Sequence, residues 1–409
     1  MKQRLTACLL FFSIIIFFNN SFAQWKLTPL YNQYIWSFAV VDTNIFAGSS
    51  GGGVYLSTNN GASWTEMDSG LTNMGISALT YIPNGNGGVI LFAGTFGSGV
   101  FKSTNLGKSW DSTAMTKEDV WTLAVNGTNI FAGTQNGMYL STNSGASWTE
   151  INSGFTNPAL PIVNTLLGNG QDILAGTTTG VYLSTDNGTK WTSSSSGLPA
   201  ADVWALSKYA SKIYAGTASG LYESTNNGSS WKSSALNDQN VWALAGKDTM
   251  LFAATRDSGV YISTDTGAAW IKIDSGLVSY NVTTLAVNDS NIFAGSLGVY
   301  VLPFNLIFAV PTGIKQIDNN IPKDFVLYQN YPNPFNPTTT INFSVRKESF
   351  VTVKVFNVLG SEVATLVNEE KPSGNYKVQF NGGSLSSGIY FYRMSAGSFT
   401  DTKKLILLK

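Results

Sequence analysis

The chain has 409 residues, with 24 Lys+Arg balanced by 24 Asp+Glu, so its formal net charge is zero. That balance excludes a nucleic-acid or anionic-membrane role driven by net charge. The absence of histidine excludes Ser-His-Asp and Cys-His catalysis and His-ligated metal sites.

Residues 1–23 read as a secretory signal peptide. Lys2 and Arg4 form its charged start, and the apolar core from Leu9 to Phe18 is too short to span a membrane as a helix. Ser21-Phe22-Ala23 fits a cleavage site before Gln24. The single cysteine, Cys8, lies inside this segment, so the mature chain is expected to lack disulfides and thiol chemistry. No transmembrane segment is predicted.

Residues 24–309 repeat one unit. Ser57-Thr58-Asn59-Asn60-Gly61-Ala62-Ser63-Trp64 returns from Ser103, Ser141, Ser184, Ser224 and Ser263. The tryptophans Trp64, Trp110, Trp148, Trp191, Trp231 and Trp270 are spaced 46, 38, 43, 40 and 39 residues apart. A period near 40 with strand-like flanks predicts a β-propeller. In each copy a short polar side chain holds the turn: Asn59, Asn105, Asn143, Asp186, Asn226 or Asp265. A glycine follows for positive φ: Gly61, Gly107, Gly145, Gly188, Gly228 or Gly267.

Each unit divides into four strands, A to D, and strands A, B and C occur seven times against six turns. The last C strand, near Gly298–Pro303, has no tryptophan after it, while Gln24-Trp25-Lys26-Leu27-Thr28-Pro29-Leu30 reads as a D strand lacking its own A, B and C. The economical solution is a seventh blade completed by the N-terminus, which leaves no open sheet edge. Residues 310–323, with Pro311, Gly313 and Pro322, read as a linker. Residues 324–409 alternate short strands with Gly/Asn/Ser turns, as in a small β-sandwich. The predicted fold class is thus all-β: a seven-bladed β-propeller closed by an N-terminal strand, followed by a small immunoglobulin-like β-sandwich.

Two resemblances sharpen this. The repeated turn resembles the Asp-box (S-x-D-x-G-x-x-W) of sialidase- and sortilin-type propellers, with Asn for Asp in four of six copies. In that family the box is structural, so it implies a fold and no activity. The C-terminal segment, with Tyr331-Pro332-Asn333-Pro334-Phe335-Asn336-Pro337, a VFNVLG stretch and the closing Lys403-Lys404-Leu405-Ile406-Leu407-Leu408-Lys409, resembles the type A sorting domain of the bacterial type IX secretion system. Lys403, Lys404, Leu405, Leu407, Leu408 and Lys409 would carry the sorting signal. The resemblance implies export, recognition by the type IX outer-membrane translocon, and a secreted or surface-attached product.

In an A-B-C-D meander the B–C and D–A loops share one face, and here they are the longer loops, where binding is expected. The candidate ligand face holds Tyr34, Phe96, Asp119, Asp202, Asn240, Arg256, Asp257 and Tyr280. Asp119 and Asp202 come from different blades, as an acid–base pair or as solvated loop charges. Trp36, Trp121, Trp204 and Trp242, one step inside strand A, are read as core in preference to a stacking platform. Sialidase chemistry holds its substrate carboxylate with three arginines, and this propeller has one, Arg256. The expectation is a non-catalytic binding or adhesion module for an extracellular glycan or protein, with no cofactor, no metal and no nucleic acid. A glycan hydrolase using channel-mouth carboxylates is the alternative.

Overall fold

The computed structural model describes residues 24–155, 160–199, 201–307, 312–318, 322–383 and 385–408. The expected signal peptide, Cys8 within it, and Lys409 lie outside the described residues. Contacts divide the chain into two units, Ala23–Phe308 and Ala309–Lys409.

The first unit is a ring of seven antiparallel blades. Blade one uses the second half of Lys26–Val41, then Asn44–Ser49, Val54–Ser57 and Thr65–Glu66. Blades two to six begin at Ile76–Pro83, Val120–Asn126, Val163–Asn169, Val203–Tyr209 and Val241–Lys247, each a separate four-stranded sheet. Blade seven is made of Thr284–Val287, Asn291–Pro303 and the first half of Lys26–Val41. Asn291–Pro303 supplies both of its middle strands, turning near Leu297-Gly298, where Gly298 has φ +118°. Lys26 pairs with Val301 and Leu27 with Tyr300, while Phe38 pairs with Ala47 of blade one. One continuous strand therefore serves two blades and closes the ring.

The blades pack by a repeated wedge. The first core residue of each strand A (Ile35, Ile76, Val120, Val163, Val203, Val241, Val282) is 0% exposed. Each is set to bear on strand B of the preceding blade, where the residue is nearly always glycine. A Cβ on Gly94 would come 2.6 Å from Val120, and one on Gly133 would come 2.7 Å from Val163. The same contact closes the ring, with Gly295 of blade seven against Ile35 of blade one at 3.0 Å. Strand B is buried on both faces and carries the large core side chains Phe46, Phe92, Phe131, Leu174, Tyr214, Phe252 and Phe293, all 0% exposed. Complete burial of such a side chain is worth roughly 1.5–3 kcal/mol.

The six repeated turns share one hydrogen-bonded core. Ser57 Oγ accepts from the Gly61 amide at 2.8 Å and donates to Asn59 Oδ1 at 3.0 Å, and the Ser63 amide donates to that same Oδ1 at 2.9 Å. In the four Asn copies the side-chain amide also donates at 2.8 Å to a serine four residues on (Ser63, Ser109, Ser147, Ser230). The two Asp copies have Lys190 and Ala269 there and use the backbone amide alone. The turn glycine approaches the strand-B core side chain of the preceding blade, as where a Cβ on Gly188 would lie 3.2 Å from Phe131.

Five of the six turn tryptophans tie their blade to its neighbour, while Trp270 donates to Gly267 O in its own turn at 3.2 Å. The indole N–H of Trp110 reaches Met67 O at 2.7 Å, that of Trp191 reaches Ile151 O at 2.7 Å, and that of Trp231 reaches Ser194 O at 2.8 Å. Trp25 does the same at the join: its indole N–H donates to Ile273 O and its backbone amide to Ser275 O. It is the seventh tryptophan of the set.

The second unit is a sandwich of two four-stranded sheets. One holds Thr312–Asp318, Gly374–Asn381, Thr338–Val345 and Val326–Leu327, and the other holds Glu362–Lys371, Ser349–Phe356, Gly388–Ala396 and Phe399–Leu407. The expected linker, 310–323, needs correction, because Thr312–Asp318 is an edge strand paired with Gly374–Asn381. Its alternation is short and flanked by Pro and Gly, which hid it. Period-two burial builds the core: Val351, Val353 and Val355 face Ile341, Phe343 and Val378 as one fully buried cluster.

Candidate functional site

Four sets of blade-equivalent positions build the channel mouth. The first is the residue before each wedge, including Tyr34, Gly75, Asp119, Ile162, Asp202 and Asn240. Their carbonyls accept the backbone amides of Ser50, Phe96, Gln135, Thr178, Ala218 and Arg256 on the B–C turn of the same blade, at 2.8–3.2 Å. These turn residues form the second set, so Phe96 and Arg256 are the same position in blades two and six. The wedges are the third set. The fourth follows each wedge and points the opposite way, into the channel: Trp36, Ser77, Trp121, Asn164, Trp204, Trp242 and Thr283.

The members of that fourth set behave in two ways. The small polar ones lock the next blade: Ser77 Oγ donates to Val120 O, Asn164 Nδ2 to Val203 O at 3.3 Å, and Thr283 Oγ1 to Ile35 O. The tryptophans make no such bond. The indole nitrogens of Trp36, Trp121 and Trp204 have no partner among the described residues, and Trp242 Nε1 donates to Asn240 Oδ1 at 2.9 Å.

The core expectation for these four tryptophans is corrected here. Each is partly buried, short of the full burial of a core side chain, and together they line a cavity of about 570 Å³ at the ring axis. Strand A lines an open channel, and burial sits on strand B. With Phe96 they form an arc: Trp121 meets Phe96 edge-on at 5.2 Å, and Phe96 meets Trp36 at 6.1 Å. The arc continues as Trp36 stacks on Trp242 at 6.2 Å, and Trp242 lies 5.4 Å from Trp204. The Arg256 guanidinium sits 5.4 Å over the Trp242 ring. The signal for this was present in the sequence, since a position that alternates Trp with Ser, Asn and Thr between blades is not a core position.

Of the eight candidate residues, Arg256 lines the cavity, and Phe96 and Asn240 contact the lining tryptophans. Asp119, Asp202 and the exposed Asp257 stand outside its lining. Tyr34 is 50% exposed on the ring-closing strand opposite Leu297. Tyr280 sits at the periphery of blade six, where Lys272 Nζ lies 5.1 Å over its ring and pairs with Asp274 at 2.7 Å. Among the described residues no three of Asp, Glu, Cys and His group closely enough to hold a metal ion.

In the second unit, the segment Tyr331–Pro337 straps the last strand. Asn333 Nδ2 donates to Lys404 O at 3.1 Å and Asn333 Oδ1 accepts the Ile406 amide at 2.9 Å. The Phe335 amide donates to Ile406 O and its carbonyl accepts the Leu408 amide, both at 2.9 Å. Buried Asn330 supports the strap, donating to Thr339 Oγ1 at 2.9 Å, with its amide on the Tyr392 hydroxyl at 2.8 Å. Burial pushes that hydroxyl up to about 12. Leu405 and Leu407 are 0% exposed, while Lys404 and Leu408 face outward.

Residues 329–408 match the family of secretion system C-terminal sorting domains. The chain carries a type IX sorting domain. It is therefore exported and either secreted or attached to the cell surface, and it engages the secretion system through this domain. Residues 169–290, in the ring, match the DUF6242 beta propeller domain family. No curated protein matches. Solved structures share the fold alone. The extracellular domain of a putative one component system, BT4673 from B. thetaiotaomicron, is 17% identical with a TM-score of 0.58, and the match covers 80% of this chain and 45% of that one. YCF48 from Cyanidioschyzon merolae is 15% identical with a TM-score of 0.55, covering 69% of this chain and 98% of that one. The GH74 xyloglucanase from Xanthomonas campestris is 16% identical with a TM-score of 0.53, covering 78% and 59%.

Proposed function

We propose that the propeller is a non-catalytic binding module displayed outside the cell, taking its ligand at the mouth of the central channel. The observation that carries this is the arc Trp121–Phe96–Trp36–Trp242–Trp204. Partly buried rings that border a cavity, three of them with no hydrogen-bond partner for the indole nitrogen among the described residues, give a ligand an apolar wall. A glycan or a peptide fits such a wall. A hydrolase needs two carboxylates flanking the bond it breaks, and Asp119 and Asp202 stand outside the lining. In this reading the six turns are structural Asp-boxes, and residues 1–23 direct the first export step.

The test is binding of the mature chain to glycan and peptide arrays, with hydrolysis assayed on each hit. Binding without turnover, lost in Trp36→Ala and Trp204→Ala, is expected. Turnover abolished by Asp119→Asn or Asp202→Asn would replace this reading with an enzyme.

A further inference from the structure

The cavity wall has one charge. Its lining contains no Asp or Glu, and its single ionised side chain is Arg256. The seven ion pairs among the described residues leave Arg256 out. Its contact with the Trp242 ring at 5.4 Å holds the guanidinium without neutralising it. Asn240 fixes the arrangement twice: its carbonyl accepts the Arg256 amide at 2.9 Å, and its side chain accepts the Trp242 indole N–H at 2.9 Å. Arg256 is exposed at the rim of the cavity, and a planar cation with no ion pair, held over an indole, is a recognition element for a carboxylate carried on a ring.

Resting on the channel-mouth reading above, we propose that the ligand is an acidic oligosaccharide. The apolar faces of its sugar rings would stack on Trp36, Trp242 and Trp204, and a uronate carboxylate would pair with Arg256. The apolar faces set the sugar class, and the lone cation selects acidic over neutral chains. The remaining polar wall, with Thr122, Thr165 and Thr284, suits hydroxyl groups.

The experiment is calorimetric titration of the full mature chain with oligogalacturonate and oligomannuronate, and with their carboxyl-reduced neutral counterparts. One acidic oligomer is expected to bind, more weakly as salt rises. Arg256→Ala should weaken it about tenfold to a hundredfold, as for loss of a charge-assisted hydrogen bond. Arg256→Lys should fall between. The neutral counterpart should bind the native chain no better than the acidic one binds Arg256→Ala. Equal affinity for acidic and neutral oligomers, indifference to Arg256→Ala, no binding of either uronate, or preference for a carboxylate-terminated peptide would each overturn the proposal. If a neutral glycan or peptide binds and is lost in Trp204→Ala, the acidic specificity falls while the channel-mouth reading survives. If Trp36→Ala and Trp204→Ala leave all binding intact, both fall.

Discussion

Trp25→Ala tests how the ring is closed. Trp25 is 2% exposed, and its indole and backbone amides both donate to blade six, at Ile273 O and Ser275 O. Truncating a buried Trp to Ala costs about 3–5 kcal/mol, which includes the cavity left behind. The Ile273 carbonyl also loses its donor, for which Trp25→Phe isolates a cost of about 1–2 kcal/mol because packing is largely kept. Trp231→Ala is the control, because that side chain is 5% exposed and makes the equivalent bond to Ser194 O without closing the ring. Urea unfolding gives the magnitudes, and native-state hydrogen exchange gives their location. Trp25→Ala should strip protection from Lys26–Leu30 and from Gly298–Pro303 together, whereas Trp231→Ala should stay local to blades four and five. A loss under about 1 kcal/mol, or unchanged exchange in Lys26–Leu30, would refute the claim that this residue anchors the closure.

Three further outcomes follow from the same geometry. Trp204→Ala should shift the unfolding midpoint less than Trp231→Ala, because Trp204 is only partly buried and its N–H bonds no described residue, whereas Trp231 is 5% exposed and donates to Ser194 O; equal shifts would return Trp204 to the core. Asp186 is held below its ordinary 3.8 by the Lys190 backbone amide and the Ser184 hydroxyl. Its stabilising contribution is therefore present above pH 3.8 and is lost as pH falls through the lower folded value, so Asp186→Asn and the native chain should differ at neutral pH and converge in acid, as thermal scans at each pH would show. Asn333→Ala removes both side-chain bonds to the last strand and should cost the sorting domain about 1–3 kcal/mol, with unexported precursor accumulating in fractionated cells.

The architecture was legible because the turn needs particular atoms. Ser57 Oγ, Asn59 Oδ1 and the positive φ of Gly61 leave few substitutes, so six turns stand out and the spare Trp25 can be matched to the blade that lacks one. The channel was harder to see. Val120 and Trp121 are adjacent apolar letters, and the period-two alternation that buries one and exposes the other shows once the blades are aligned and Ser77, Asn164 and Thr283 fall in the Trp121 column. Topology put Tyr280 on the right face but says nothing of radius, and its contact with Lys272 places it outward. The strand Thr312–Asp318 was lost because its partner lies some sixty residues on, and a chain of seven residues between Pro and Asn-Asn carries little periodic signal.

The shared strand Lys26–Val41 also imposes an order in time. The join is made between residues 248 apart, Trp25 and Ile273, so it needs the sixth blade in place before the start of the ring can be tied down. Without Asn291–Pro303, blade seven is incomplete, Lys26–Leu27 lacks its pairing partner, and Ile35 of blade one loses its contact with Gly295. The sorting domain follows that final strand in the chain. A chain truncated before that strand lacks both the last piece of the ring and the sorting domain.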